Sequence, residues 1–257
     1  MPLPSVSSSL GIPFIELQSV DSTNNYALEQ IHANLAQPGT CYFTHEQTAG
    51  KGQRGKSWAT EKGSDITLSI ALKPYSLPAL QQFHLSACVA VATHNFLNKY
   101  AGEELKIKWP NDLYWKDKKL GGILIENIVR AQGSGIARWD WAVIGIGINI
   151  NRTRFSPELK AAVSLKQITK KDFNTVELAN DLCQSIDHFY RQLINEGFVA
   201  ILDMYNKCLY KKNNVIKLKK DTRTFKTKIK GVSEMGQLIT QHIIEERFDF
   251  GEVAWVI

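Results

Sequence analysis

Residues 47–58 read Gln-Thr-Ala-Gly-Lys-Gly-Gln-Arg-Gly-Lys-Ser-Trp, and the residues just after Trp58 decide which folds stay open to the chain. Gly50, Gly52 and Gly55 free the backbone to take positive φ and to approach a ligand closely. Lys51, Arg54 and Lys56 stand among them with no acidic residue to neutralise them, so the stretch suits an anion, above all a phosphate. Trp58 closes it as an apolar or stacking wall. Gly50-x-Gly52-x-x-Gly55 fits the dinucleotide fingerprint, and Gly50-x4-Gly55-Lys56-Ser57 fits the P-loop pattern. Both motifs need a helix beginning at the last glycine, because its N-terminus supplies dipole and donors. Here period-2 alternation begins by Ile66, and the few residues between, with Gly63 among them, leave no room for an ordinary helix. No acidic residue stands about twenty positions on, where the dinucleotide reading needs one. No apolar run ending in Asp offers a P-loop its magnesium partner. Both readings fail. The stretch is expected to be a phosphate-binding loop joining two strands, with a solvated basic hairpin loop as the competing reading.

A chain of 257 residues allows one large domain plus a small one. Cys41, Cys88, Cys183 and Cys208 show no C-x-x-C pairing and read as reduced structural thiols, as in a cytoplasmic protein. The histidines lack metal-ligand spacing. No basic region precedes an apolar run at the N-terminus, and no segment reaches the length of a membrane span. The expectation is therefore a cytoplasmic protein, neither secreted nor in a membrane. Net charge is +6, yet residues 207–230 alone hold ten Lys and Arg against Asp221, so the rest of the chain is net acidic. The segment alternates in a strand-like way and lacks both aromatic interleaving and a recognition-helix pattern. An acidic protein partner is the first reading, a plain solvated face the second, nucleic acid a distant third.

Along the chain, residues 1–12 are Pro- and Ser-rich and expected to be loosely ordered. Phe14-Ile-Glu-Leu reads as a strand. Ser22, Thr23 and Asn24 offer N-caps for a helix bearing Leu28, Ile31 and Leu35, and capping is favoured over contact with a polar ligand. Strands are expected over 40–47 and 66–72, then a long buried helix from Pro78 bearing Leu80, Phe83, Ala87, Val91 and Phe96. In Lys108-Trp-Pro-Asn-Asp112 the proline breaks a strand, leaving Asn111 and Asp112 at an irregular end. Residues 116–118 turn into Lys119-Leu-Gly-Gly-Ile-Leu-Ile-Glu126, whose paired glycines suggest close approach of backbone or ligand. Residues 139–150 form the most apolar strand, with Gly145 and Gly147 on one face and Asn149 at its rim. That bare face is either a groove for a flat ligand or a crowded packing position. Ser156-Pro157-Glu158 starts a short helix, Asn174-Thr175 a long one, and a last helix carries Phe198, Ile201, Tyr205 and Leu209. After Asn213-Asn214 only short alternating strands remain, too few for a large core of their own, so they must lean on the rest. The expected division is residues 1–212 and 213–257.

Together these pieces resemble the biotin protein ligases, the biotin–[acetyl-CoA-carboxylase] ligases. Residues 50–58 look like the family's biotin loop. Lys108-Trp-Pro-Asn-Asp112, Lys119-x-x-Gly-Ile-Leu-x-Glu126 and Gly145-x-Gly-Ile-Asn149 look like its other signatures, in order. The match runs from about Asp21 to the C-terminus. The space before Ser22 does not hold the DNA-binding winged helix of the family's repressor members, so the chain resembles the ligase-only class, with no DNA partner. The resemblance implies an α+β fold: a mixed, mostly antiparallel sheet flanked by helices, like class II aminoacyl-tRNA synthetases and biotinyl/lipoyl ligases, with a small C-terminal SH3-like β-barrel. It implies activation of biotin by ATP, with Mg2+, as biotinyl-5′-AMP, then transfer to a lysine of a biotin carboxyl carrier domain of acetyl-CoA carboxylase or a related enzyme. A homodimer is compatible with it.

By resemblance, Lys119 holds the biotin carboxyl oxygen and steadies charge, with Arg54 and Asp112 beside it in the chemistry. Ser22, Thr23, Asn24 and Gln47 bond the ureido ring, and Gly122, Leu124, Gly145 and Gly147 form the slot for ring and chain. Gly50, Lys51, Gly52 and Gln53 close over biotin. Lys51, Arg54 and Lys56 grip the phosphates, and Trp58, Asn111, Asp112 and Asn149 meet the nucleotide. No metal is held by protein alone; magnesium comes with ATP, with Asp112 as its one candidate ligand. Two positions depart from arginine-rich family loops: Lys51 keeps charge without the bidentate fork, and Gln53 loses charge, which implies looser retention of the adenylate. Lipoate ligation or octanoyl transfer on the same fold is the nearest rival. A nucleic-acid module built on residues 207–230 is the rival from another class.

Overall fold

The computed structural model describes residues 9–75, 77–131, 137–159 and 161–256. Most of the expectation for residues 1–12 lies outside these. Seven strands make one sheet: β1 (Phe14–Leu17), β2 (Cys41–Thr44), β3 (Asp65–Leu72), β4 (Leu105–Lys108), β5 (Asp112–Trp115), β6 (Lys118–Ala131) and β7 (Ala137–Asn149). Their order is β1-β2-β3-β7-β6-β5-β4, antiparallel throughout except for the β1–β2 pair. The fold is α+β, as expected. The glycine loop joins β2 to β3, two antiparallel neighbours, which is why neither phosphate motif could supply its helix. Pro110 falls in the turn between β4 and β5, and β4 is the sheet's edge, where a proline removes no ladder bond.

Alternation along β3 and β7 sorts the two faces of the sheet. Ile66, Leu68, Ile70 and Leu72 of β3, with Ile144, Ile146 and Ile148 of β7, join the main core under α2 (Gln82–Ala101) and α4 (Thr175–Glu196). The α4 stripe Leu178, Leu182, Ile186, Phe189 and Leu193 is buried as its period requires. Each such side chain contributes about 1.5–3 kcal/mol relative to leaving it in water. The opposite face carries Ser69, Ala71, Val143, Gly145 and Gly147. There α1 (Thr23–His32) packs Ala27 and Ile31 on Tyr42, Ala71 and Val143, with Leu17, Ile128 and Trp141 at the margin. One end of that face is thus roofed by apolar contact and the other is left open, and the open end is where the site lies.

Three expectations at element ends fail. Leu35 lies past α1 and is 68% exposed, and Leu80 is 90% exposed in a 3-10 turn (Ala79–Gln81) that precedes α2. Pro157–Leu159 is also only a 3-10 turn; the short helix α3 (Leu165–Thr169) begins at Ser164, whose hydroxyl and Gln167 form a capping box. At Leu35 and Leu80 a side chain with helical spacing had no apolar surface to face, and local pattern yielded to packing. Gly197, at φ 86°, separates α4 from α5 (Phe198–Lys207).

The C-terminal strands β8 (Val215–Lys220), β9 (Arg223–Val232), β10 (Leu238–Gln241), β11 (Glu245–Phe248) and β12 (Ala254–Val256) form a five-stranded antiparallel sheet, order β11-β10-β9-β8-β12. This module leans on the rest of the chain through polar and aromatic contacts. The Trp109 indole donates to Gly236 O at 2.9 Å, and the Asn206 amide bonds both ways with Val232. Lys217, Lys219, Lys226 and Lys230 are exposed on β8 and β9, and Lys217 stands directly across from Lys226. Like charges opposite one another are unfavourable in a strand pair.

Candidate active site

A cavity of about 640 Å³ opens on the α1 face, walled by the first turn of α1, the glycine loop, β5–β7 and the C-terminal module. Ser22 occupies the N-cap position of α1 in extended conformation, but no side chain caps the helix. The capping reading of Ser22, Thr23 and Asn24 is therefore wrong, and the polar groups are committed elsewhere. The Thr23 N–H donates to Gln47 Oε1 at 2.8 Å. The Ser69 hydroxyl lies 2.7 Å from Thr23 Oγ1 and 2.6 Å from Asn24 Oδ1, and the Asn24 amide donates to Glu126 Oε2 at 2.7 Å. This network is buried at the open end of the sheet face, where polar groups must be paired or meet a polar ligand.

Gly145 and Gly147 admit two protein groups to that face. A β-carbon at Gly145 would collide with the Asn24 amide, and one at Gly147 with the Trp58 indole. The bare strip thus serves both readings: it is crowded from above by Asn24 and Trp58, and it still lines the cavity with Leu124 and Gly122. At Gly122, a β-carbon would press on Lys119 Nζ and Asp112 Oδ1. Those two groups pair at 2.7 Å, and Lys119 Nζ lies 5.5 Å from the Trp58 ring centroid. Lys119 is therefore brought to the loop, facing the same space.

The loop closes on itself: Gly52 N–H donates to Lys56 O at 2.6 Å and Trp58 N–H to Gly50 O at 2.8 Å, around a 3-10 turn (Gln53–Gly55). Lys51, Gly52, Gln53, Arg54 and Lys56 line the cavity. Gly50 does not. It is buried behind the loop with the Trp58 carbonyl where its side chain would be, so close packing there requires glycine. The Arg54 guanidinium, on a backbone of positive φ, lies 4.7 Å over the Phe250 ring of the C-terminal module. Asn111 and Asn149 stand on the wall with their amide nitrogens spent on backbone: Asn111 donates to Ile123 O, and Asn149 to Val163 O at 3.1 Å. Each keeps its carbonyl oxygen for a ligand, and Asn111 a second amide N–H.

A model of the biotin/lipoate A/B protein ligase family matches residues 16–149. This chain belongs to that family. The biotin–[acetyl-CoA-carboxylase] ligase of Paracoccus denitrificans is 30% identical over 192 residues, covering 72% of this chain and 76% of that protein. The bifunctional ligase/repressor BirA of Bacillus spizizenii is 28% identical over 227 residues, covering 87% of this chain and 68% of that protein. Among solved structures, a biotin protein ligase from Aquifex aeolicus in complex with biotin and ATP superposes with a TM-score of 0.79 at 24% identity, over 94% of this chain and 97% of that one. That likeness speaks for the fold.

Several side chains on this ligase-family cavity were given no role by sequence reasoning. Lys108 and Tyr114 come from β4 and β5, Arg152 and Phe155 from beyond β7, and Phe250 and Trp255 from the C-terminal module. Ser69, buried beneath Thr23 and Asn24, also went unread; with Thr67 it puts a hydroxyl on the α1 face of an otherwise apolar strand. Arg152 stacks on Phe155 at 4.7 Å and reaches within 3.8 Å of Asp65, a buried carboxyl that burial raises to about 6. Burial likewise lowers the Lys108 ammonium to about 8 and raises the Tyr114 phenol to about 12.

Proposed function

We propose that this chain joins biotin to ATP as biotinyl-5′-AMP and passes the biotinyl group to a lysine of a biotin carboxyl carrier domain, such as that of acetyl-CoA carboxylase. The observation that carries this reading is Lys119, paired to Asp112 and facing Trp58 and the cationic glycine loop across one cavity. Adenylation brings a carboxylate oxygen to the α-phosphorus, so two anions must approach. Lys119, Lys51, Arg54 and Lys56 lower that repulsion, and Lys119 then holds the acyl oxygen while charge moves. In the second step an acceptor amine attacks the acyl carbon and AMP leaves. Trp58 and the Asn149 carbonyl side of the wall take the nucleotide.

The polar wall formed by Ser22, Thr23, Asn24 and Gln47 supports biotin over lipoate. A ureido ring brings one carbonyl acceptor and two N–H donors that such polar groups can meet, whereas an apolar dithiolane offers them no hydrogen bond. Among the described residues no three His, Cys, Asp or Glu gather as a metal set, and the Asp112 carboxylate is already engaged by Lys119. Magnesium would arrive on the nucleotide, with Asp112 as the residue placed to meet it. No helix of the described residues is long and apolar enough to cross a membrane. Incubating the protein with ATP and either biotin or lipoate, and following pyrophosphate release and the mass of a carrier fragment, tests the reading. Release with biotin and a biotinyl mass gain are expected; release with lipoate alone would overturn it.

A further inference from the structure

Strand register draws a straight row across the cavity floor. Gly147 of β7 is opposite Gly122 of β6, Gly122 opposite Asp112 of β5, and Asp112 opposite Lys108 of β4. At about 4.8 Å per strand the row spans roughly 14 Å from the glycine strip to Lys108. Lys119 and Asp112 occupy its middle, and Lys108 ends it at the edge of the sheet beside the C-terminal module. The proposed chemistry stops at Lys119 and leaves Lys108 without a task.

Lys108 is a half-buried cation whose one hydrogen-bond partner among the described residues is the Tyr114 hydroxyl, at 3.2 Å. Its ammonium also lies 4.5 Å from the Tyr114 ring centroid and 5.7 Å from that of Trp255. The Asp112 carboxylate, which favours the charged form of Lys108, is already paired with Lys119, while Lys56 and Lys119 repel the Lys108 ammonium. Three ammonium groups therefore share one carboxylate, an excess that only an anion of more than one charge would balance. The Trp255 ring thus flanks the ammonium, and its indole N–H is buried without an acceptor among the described residues.

We propose that Lys108, flanked by Tyr114 and Trp255, seats the β- and γ-phosphates of the nucleotide and receives the pyrophosphate leaving group. As the biotin carboxylate oxygen bonds to the α-phosphorus, the bond from that phosphorus to its bridging oxygen breaks. The electron pair stays on pyrophosphate, and Lys108 meets the charge that grows there. No further reactant is needed. The assignment rests on the adenylating function proposed above.

The test is K108Q, assayed in separate half-reactions. Its apparent KM for ATP should rise and its inhibition by inorganic pyrophosphate weaken, each by about tenfold or more, the size of one charge-assisted hydrogen bond. Biotin affinity should hold, and transfer from synthetic biotinyl-5′-AMP to the carrier should stay at the wild-type rate, because that step contains no pyrophosphate. K108R should recover pyrophosphate inhibition. If K108Q does not fold, W255F serves instead, with a smaller loss of pyrophosphate inhibition expected. Unchanged pyrophosphate inhibition in a folded variant overturns the assignment, as does an equal loss in both half-reactions. Failure of the wild type itself to form adenylate from biotin and ATP would instead sink the function on which the assignment rests.

Discussion

The Trp58 indole lies against Gly147, so close that a β-carbon there would sit 2.6 Å from Nε1. The loop's last residue is thus docked on the sheet by the absence of a side chain on β7, a strand outside its own hairpin. Glycine here decides where the loop closes as well as how it bends.

Gly147→Ala should push Trp58 off the sheet and open the loop. Overpacking of this kind costs about 1–3 kcal/mol, and the nucleotide wall moves with the indole. Weaker ATP binding and a shift in tryptophan emission are expected. Unaltered ATP affinity in a folded variant would mean that Trp58 does not form the wall.

Lys119→Ala removes the cation at the reacting carboxyl and leaves Asp112 without its 2.7 Å partner, facing a second carboxylate. Loss of a positioned charge at a developing oxyanion slows reaction by about 10²–10³-fold. Pyrophosphate release at saturating biotin should fall by that order; a loss under threefold would remove Lys119 from the chemistry.

Asp65 is buried at the end of β3, and burial raises its carboxyl to about 6 against the opposing pull of the Glu61 N–H and Arg152. A carboxyl whose folded value is raised lends stability that is complete below its unfolded value near 3.8 and lost as pH climbs through about 6. Asp65→Asn keeps the shape without the charge. Relative to wild type it should gain stability between pH 4 and pH 7, by roughly 3 kcal/mol at most. Thermal midpoints of the two proteins that run parallel across that range would refute the charge as the cause.

The exposed lysines of β8 and β9 bear on the acceptor. Lys220 is partly engaged by Glu252 at 3.4 Å, so Lys217, Lys219 and Lys226 are the set to neutralise. Replacing all three with Gln should raise the KM for an acidic carrier severalfold at low salt and leave adenylate formation as it was. A carrier KM indifferent to the change would return the segment to a plain solvated face.

The glycine loop, the break at Pro110, the paired glycines and the strand-rich C-terminus were all readable because each depends on backbone limits or on a short-range period. Helix ends at Leu35 and Leu80 were misread because spacing does not say whether an apolar surface waits opposite. Arg152, Phe155 and Trp255 carried no motif at all; each reaches the cavity through strand pairing or chain reversal rather than through neighbours in sequence, and Ser69 is set beneath Thr23 and Asn24 by the pairing of β3.

By itself the sequence determined the alternation that makes β3 and β7 strands, the loop that cannot feed a helix, and the family signatures around Lys119. Only the tertiary structure decided that Ser22 does not cap and that Gly50 stands outside the cavity. It also decided that Lys108 shares a row with Gly147. Local backbone preference acts over a few residues, whereas a site is fixed by which faces of distant strands meet, and register alone settles that.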